Sequence, residues 1–206
     1  MIDLFNYQRR ETSIIHVGAI DMGGDNPIRI QSMTTTNTND TEACIKQSEE
    51  IIQAGGELVR LTTQGVREAE NLKNINAGIR ADGYMTPLIA DVHFNPHVAD
   101  VAALYAEGVR INPGNYVDPA RKFIKQDYTD EEYAQELKKI EDRLIPFLNI
   151  CKENHTAIRI GVNHGSLSDR IRNRYGDTPM GIVESCMEFL RICKKESFND
   201  VVISIK

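Results

Sequence analysis

At 206 residues, 41% apolar and 26% charged, the chain is long enough to bury one substantial core and has the make-up of a globular protein. A formal net charge of −6 argues against a general nucleic-acid binder, which needs a basic face, so any anion site has to be local. No apolar run approaches the ~20 residues of a membrane span, and Met1-Ile2-Asp3-Leu4 has neither the basic start nor the apolar middle of a signal peptide, so a cytoplasmic protein is the expectation.

In chain order, residues 13–17 read as a strand, Gly23-Gly24-Asp25-Asn26-Pro27 as a turn and residues 28–33 as a second strand. Asp40 leads a helix that runs to Ala54 and closes at Gly55-Gly56. A regular alternation follows: strand 58–61, helix 66–80, strand 88–91, helix 96–107 and strand 109–111. Val66, Ala69, Leu72, Ile75 and Ile79 fall near one helical face, and Asn95-Pro96 supplies a cap with proline at the first helical position. The next connection is longer. Within it Thr129-Asp130-Glu131-Glu132 forms a capping box that opens a helix with the stripe Leu137, Ile140, Leu144, Leu148 and Cys151, which Pro146 is expected to bend or split. Strand 157–162 comes next, then a loop through His164-Gly165-Ser166 and a cap at Asp177-Thr178-Pro179. A helix carrying Val183, Cys186, Met187, Leu190 and Cys193 leads to a last strand, 201–206.

Six of these strands are short and apolar on both faces, as parallel sheets covered by helices require. A doubly wound sheet would show a glycine-rich phosphate loop after its first strand, and Gln31-Ser32-Met33-Thr34-Thr35-Thr36 is not one. The expected fold is therefore α/β, a TIM (βα)8-type barrel of which the chain supplies six βα units, two short of closure. Its edges would then be open, exposing backbone hydrogen-bonding groups and apolar surface.

Four cations, Arg60, Arg110, Arg159 and Lys206, stand where four different strands run out. They converge only if those strands close around one axis, and together they carry enough charge for a diphosphate. Any one of these arginines alone reads equally well as a rim ion pair; four at equivalent positions favour an anion site. Asn112 and Asn163 follow two of the arginines, with Gly114 and Asn115 just beyond, and such amides and free N–H groups can finish the coordination of phosphate oxygens. Turn chemistry accounts equally well for Asn-Pro-Gly-Asn.

Asp91 and His93, two residues apart at a strand end, share one side of the backbone, where a carboxylate and an imidazole can bind hydroxyls, transfer protons or begin a metal site. They are the catalytic candidates, and no HxH or third ligand supports a metal. His16, His97, His155 and His164 are expected to be mostly solvated. Cys44, Cys151, Cys186 and Cys193 show no CxxC spacing, so they read as core thiols rather than metal ligands or a disulfide framework.

The stretches Ile30-Gln31-Ser32-Met33-Thr34, Leu58-Val59-Arg60, Ala90-Asp91-Val92-His93-Phe94, residues 109–115 and residues 159–170 resemble the 4-hydroxy-3-methylbut-2-enyl diphosphate synthase family of non-mevalonate isoprenoid biosynthesis. The likeness covers essentially the whole chain. Asp127-Tyr128-Thr129-Asp130-Glu131-Glu132-Tyr133 and Tyr175-Gly176-Asp177-Thr178-Pro179 are similar to its longer, plant-like branch, which has an extra domain between barrel and cluster domain. The resemblance implies that residues 1–206 are an N-terminal TIM-barrel domain cut before its last strands, without the inserted and iron-sulfur domains. It also implies reductive ring opening and dehydroxylation of 2-C-methyl-D-erythritol 2,4-cyclodiphosphate by a homodimer. A [4Fe-4S] cluster, whose ligands are not in this chain, would pass on electrons from ferredoxin or flavodoxin.

Carried over by position, the family's diphosphate grip falls on Arg60, Arg110, Arg159, Asn163 and Lys206, and its polar pocket floor on Asp91 and His93. The isolated chain is expected not to turn substrate over. A dihydropteroate-synthase-like barrel taking a pterin diphosphate, and a non-catalytic module holding a phosphorylated ligand, are the competing readings.

Overall fold

A computed structural model describes residue 6, residues 10–118 and residues 128–206; Met1-Ile2-Asp3-Leu4 and Asp127, used above, lie outside the described residues. The chain opens with an antiparallel hairpin of β1 (Ile15–Val17) and β2 (Ile20–Met22), reversed at Gly18 with φ 56°. The sequence reading put the reversal later, at residues 23–27, because the three residues Ile20-Asp21-Met22 are too few to show a period.

Six parallel strands follow and hydrogen-bond in sequence order: β3 (Gln31–Met33), β4 (Leu58–Thr63), β5 (Leu88–Val92), β6 (Gly108–Ile111), β7 (Ala157–Val162) and β8 (Val201–Ile205). Between them run α1 (Thr41–Gln53), α2 (Val66–Ala81), α3 (Pro96–Ala102), the single turn α4 (Pro113–Tyr116), α5 (Asp130–Asn154), α6 (Asp169–Tyr175) and α7 (Pro179–Lys195). The sheet curls into an incomplete barrel in which, among the described residues, β3 and β8 each pair on one side only.

Pleating separates two environments. One set of strand residues, including Val59, Leu61, Ala90, Val109, Ile111, Ile158 and Ile160, joins Leu72, Ile75, Ile79, Val98, Leu144, Leu148 and Phe189 of the helices in the main core. The alternate set faces the barrel axis. Its lowest members, Leu58, Ile89 and Ala157, cluster with Ile15 and Val17, so the hairpin seals the floor with apolar side chains.

Several boundaries differ from expectation for local reasons. β4 extends through Thr62 and Thr63, β-branched residues that suit a strand. α3 stops at Ala102 rather than 107 because the Thr156 hydroxyl donates to the carbonyls of Ala103 (2.8 Å) and Ala106 (3.2 Å), satisfying groups a longer helix would have used. α5 stays one helix through Pro146, held on both sides of it by buried Ile140, Leu144, Phe147, Leu148 and Cys151.

α6, read as loop from sequence, is capped by Ser168, whose hydroxyl accepts from Ile171 N at 3.3 Å. It delivers Arg170 into a buried junction. There the guanidinium donates to both carboxylate oxygens of Glu188 (2.7 and 2.9 Å) and to Asp118 (3.1 Å), while the Tyr133 hydroxyl also donates to Glu188. This ties α5, α6 and α7 to the segment that follows α4.

Candidate anion site in the barrel lumen

Arg60, Arg110 and Arg159 are each the third residue of their strands, not the last. Pleat alternation puts them on the same face as floor residues Leu58, Gly108 and Ala157, two residues higher. Strand pairing then sets Asp91 beside Arg110 and Arg110 beside Arg159. The charges therefore sit inside the lumen, one layer above the apolar floor.

Asp91 is the hub. β5 is buried along its whole length, and its carboxylate, 3% exposed, meets Arg60 at 2.6 Å, Arg110 at 3.3 Å and His93 Nε2 at 3.3 Å. Burial alone would raise the carboxyl's pKa, but the His93 contact and the charges of Arg60 and Arg110 outweigh it and hold the pKa below the ordinary aspartate value. Arg110 also donates to the Gly161 carbonyl at 3.1 Å.

Arg159 has no such support. Among the described residues it makes no ion pair; desolvation and the like charges of Arg60 and Arg110 lower its pKa, only partly offset by Asp91. Arg110 is lowered in the same way, by burial first and by Arg60. The Arg60 Nε is buried with no hydrogen-bond partner among the described residues. Three guanidinium groups thus share one carboxylate in a half-dry space, an arrangement that favours an arriving anion.

The remaining candidates divide. Asn163 Oδ1 accepts from Gly165 N at 3.0 Å, holding the loop above Arg159. Asn112 is buried and its amide is committed: Oδ1 accepts from Gly114 N (3.0 Å) and Nδ2 donates to Ser166 Oγ (2.8 Å), which latches the β6 and β7 loops together. Lys206 follows β8 and is exposed at the rim, fixed by backbone bonds from its N to Val162 O (3.0 Å) and from His164 N to its O (2.9 Å). The structure therefore brings Arg60, Asp91, His93, Arg110 and Arg159 together and leaves the two amides and Lys206 in the surrounding loops. Gly161, which receives Arg110, was not singled out from sequence, although its place two residues past Arg159 on a strand marks it as facing the lumen.

No group of three or more His, Cys, Asp or Glu side chains is placed to hold a metal among the described residues. All four cysteines are buried and free, and burial pushes their thiols upward, Cys193 to about 12. No described helix is long and apolar enough to cross a membrane.

Residues 12–206 match the GcpE TIM-barrel domain. The chain belongs to that family. It is 76% identical over 205 residues to 4-hydroxy-3-methylbut-2-en-1-yl diphosphate synthase (flavodoxin) of Bacteroides thetaiotaomicron, covering 100% of this chain and 33% of that protein. The protein of the same name from Phocaeicola vulgatus is 77% identical with the same coverage, and that of Parabacteroides distasonis is 62% identical over 98% of this chain and 33% of its own length. The chain thus spans about a third of these relatives. Among solved structures, a truncated 3-deoxy-D-arabino-heptulosonate 7-phosphate synthase from Thermotoga maritima aligns with a TM-score of 0.56 and 11% identity, over 94% of this chain and 56% of that one, a likeness of fold alone.

Proposed function

We propose that this chain is the diphosphate-holding barrel portion of a GcpE-family 4-hydroxy-3-methylbut-2-en-1-yl diphosphate synthase. The substrate is a cyclic diphosphate, 2-C-methyl-D-erythritol 2,4-cyclodiphosphate, which the whole enzyme opens reductively and dehydroxylates. Arg60, Arg110 and Arg159 take the diphosphate oxygens, with the Asn163 amide and Lys206 closing from the rim. Asp91 orients Arg60 and Arg110, and His93 presents its imidazole to the substrate's hydroxyl side. Asn112 contributes by holding the two loops in register.

The names of the relatives support flavodoxin as electron donor. The reduction itself belongs to a [4Fe-4S] cluster that the described residues of this chain do not fit, since its thiols are buried and hard to ionise and no group of three or more ligating side chains converges among them. We assign the enzyme to the cytoplasm and to a homodimer.

The observation that carries this reading is Arg159, a partly buried cation without an ion-pair partner among the described residues, kept beside two like charges. A charge so placed is a cost to the fold that a bound anion removes. Calorimetric titration of this chain with inorganic diphosphate and with the cyclic diphosphate tests it. Arg159→Ala is expected to weaken binding by about 1.5 to 3 kcal/mol, while its thermal midpoint stays level or rises. Equal affinity in the variant, or no binding by the unmodified chain, overturns the reading.

A further inference from the structure

Gly161 lies on the lumen face of β7, two residues beyond Arg159 and paired with Ser204 of β8. The Arg110 side chain crosses from β6 and rests on it. A Cβ built on Gly161 would overlap Arg110 Nε and stand 3.1 Å from both Cζ and Nη2. Arg110 Nη2 in turn donates to the Gly161 carbonyl at 3.1 Å. The missing side chain and the carbonyl together form the shelf that places this guanidinium within 3.3 Å of Asp91.

The kind of atom in the way decides what a substitution would do. The three atoms nearest the added methyl all belong to the far end of one flexible side chain, Arg110, and none of the three is backbone. Gly161 does not have a positive φ, so alanine suits its strand conformation and is no burden to the sheet. The backbone therefore has no reason to move, and Arg110 does.

We infer that Gly161 is a positioning residue for the anion site: its bare Cα sets where the Arg110 guanidinium lies, and any larger residue evicts that group from the lumen layer without unfolding the barrel. This rests on the diphosphate reading above only for its consequence, not for its geometry.

Two measurements on the 206-residue chain test it. The Nε–H resonance of Arg110, assigned by its loss in Arg110→Ala, is expected to shift in Gly161→Ala, with a thermal midpoint no lower than that of Arg110→Ala. In a cycle of Gly161→Ala, Arg110→Ala and the double variant titrated with inorganic diphosphate, Gly161→Ala should lower affinity about tenfold or more and have no further effect once Arg110 is gone. An unmoved resonance, a thermal midpoint below that of Arg110→Ala, or losses that add in the double variant would overturn the inference. If the unmodified chain fails to bind diphosphate, the function is refuted while the resonance still decides the role of Gly161.

Discussion

One carboxylate, Asp91, faces Arg60, Arg110 and, at longer range, Arg159, and this imbalance dictates what single substitutions do. Asp91→Asn keeps the shape but leaves Arg60 and Arg110 without their counter-charge in a space that is mostly closed to water, so it is expected to lower unfolding free energy by about 3 kcal/mol. Urea denaturation measures this. The same carboxyl sets an acid limb. Because its pKa is depressed in the folded state, the native protein binds that proton less readily than the unfolded chain. Its stabilisation is then complete above the ordinary aspartate range and disappears as pH falls through that range toward the depressed value. The stability gap between the unmodified chain and Asp91→Asn should accordingly begin to narrow below about pH 5 and go on narrowing toward the depressed value; a gap constant with pH would count against the ionised hub.

At the scale of elements, the loops after β6 and β7 are pressed together at Gly114, where an added Cβ would stand 2.7 Å from the Ser166 carbonyl carbon. Here the obstacle is backbone. Gly114→Ala is expected to force the loops apart, cost about 1–3 kcal/mol and speed amide exchange at Gly165, in contrast to Gly161→Ala, where a side chain yields and not the backbone. The junction beneath them depends on Glu188, buried against Arg170 and Tyr133. Glu188→Ala leaves Arg170 with Asp118 as its remaining carboxylate among the described residues, and a loss of about 3 kcal/mol in chemical denaturation is expected.

The strand and helix alternation was readable because burial imposes short continuous apolar runs on the strands and a period near four on the helices. β2 escaped notice because three residues carry no period. α6 escaped although Ser168 with Asp169 is a cap signal, since a helix of 7 residues presents little apolar stripe. Asn112 illustrates a different limit: sequence shows an amide beside an arginine, but only packing reveals that Gly114 and Ser166 already occupy it.

For the whole molecule, the clustering of Arg60, Arg110 and Arg159 was legible because barrel strands repeat one geometry, so equivalent positions must face one axis. Their depth was not, because the strands run on beyond the arginines, as β4 and β7 do by three residues. Net charge adds a further consequence: at −6 the surface repels an anion at long range while the lumen attracts it at close quarters. Raising ionic strength screens the first more than the second, so the diphosphate on-rate in stopped-flow is expected to rise with modest added salt. A steep decline would point to steering by the outer surface.

The hairpin of β1 and β2 leaves a final mark. Ile15 and Val17 pack against Leu58, Ile89 and Ala157, so among the described residues the layer beneath the arginines is apolar. An anion seated on the guanidinium groups would therefore be shielded from solvent on its underside, where its attraction to them is least diluted.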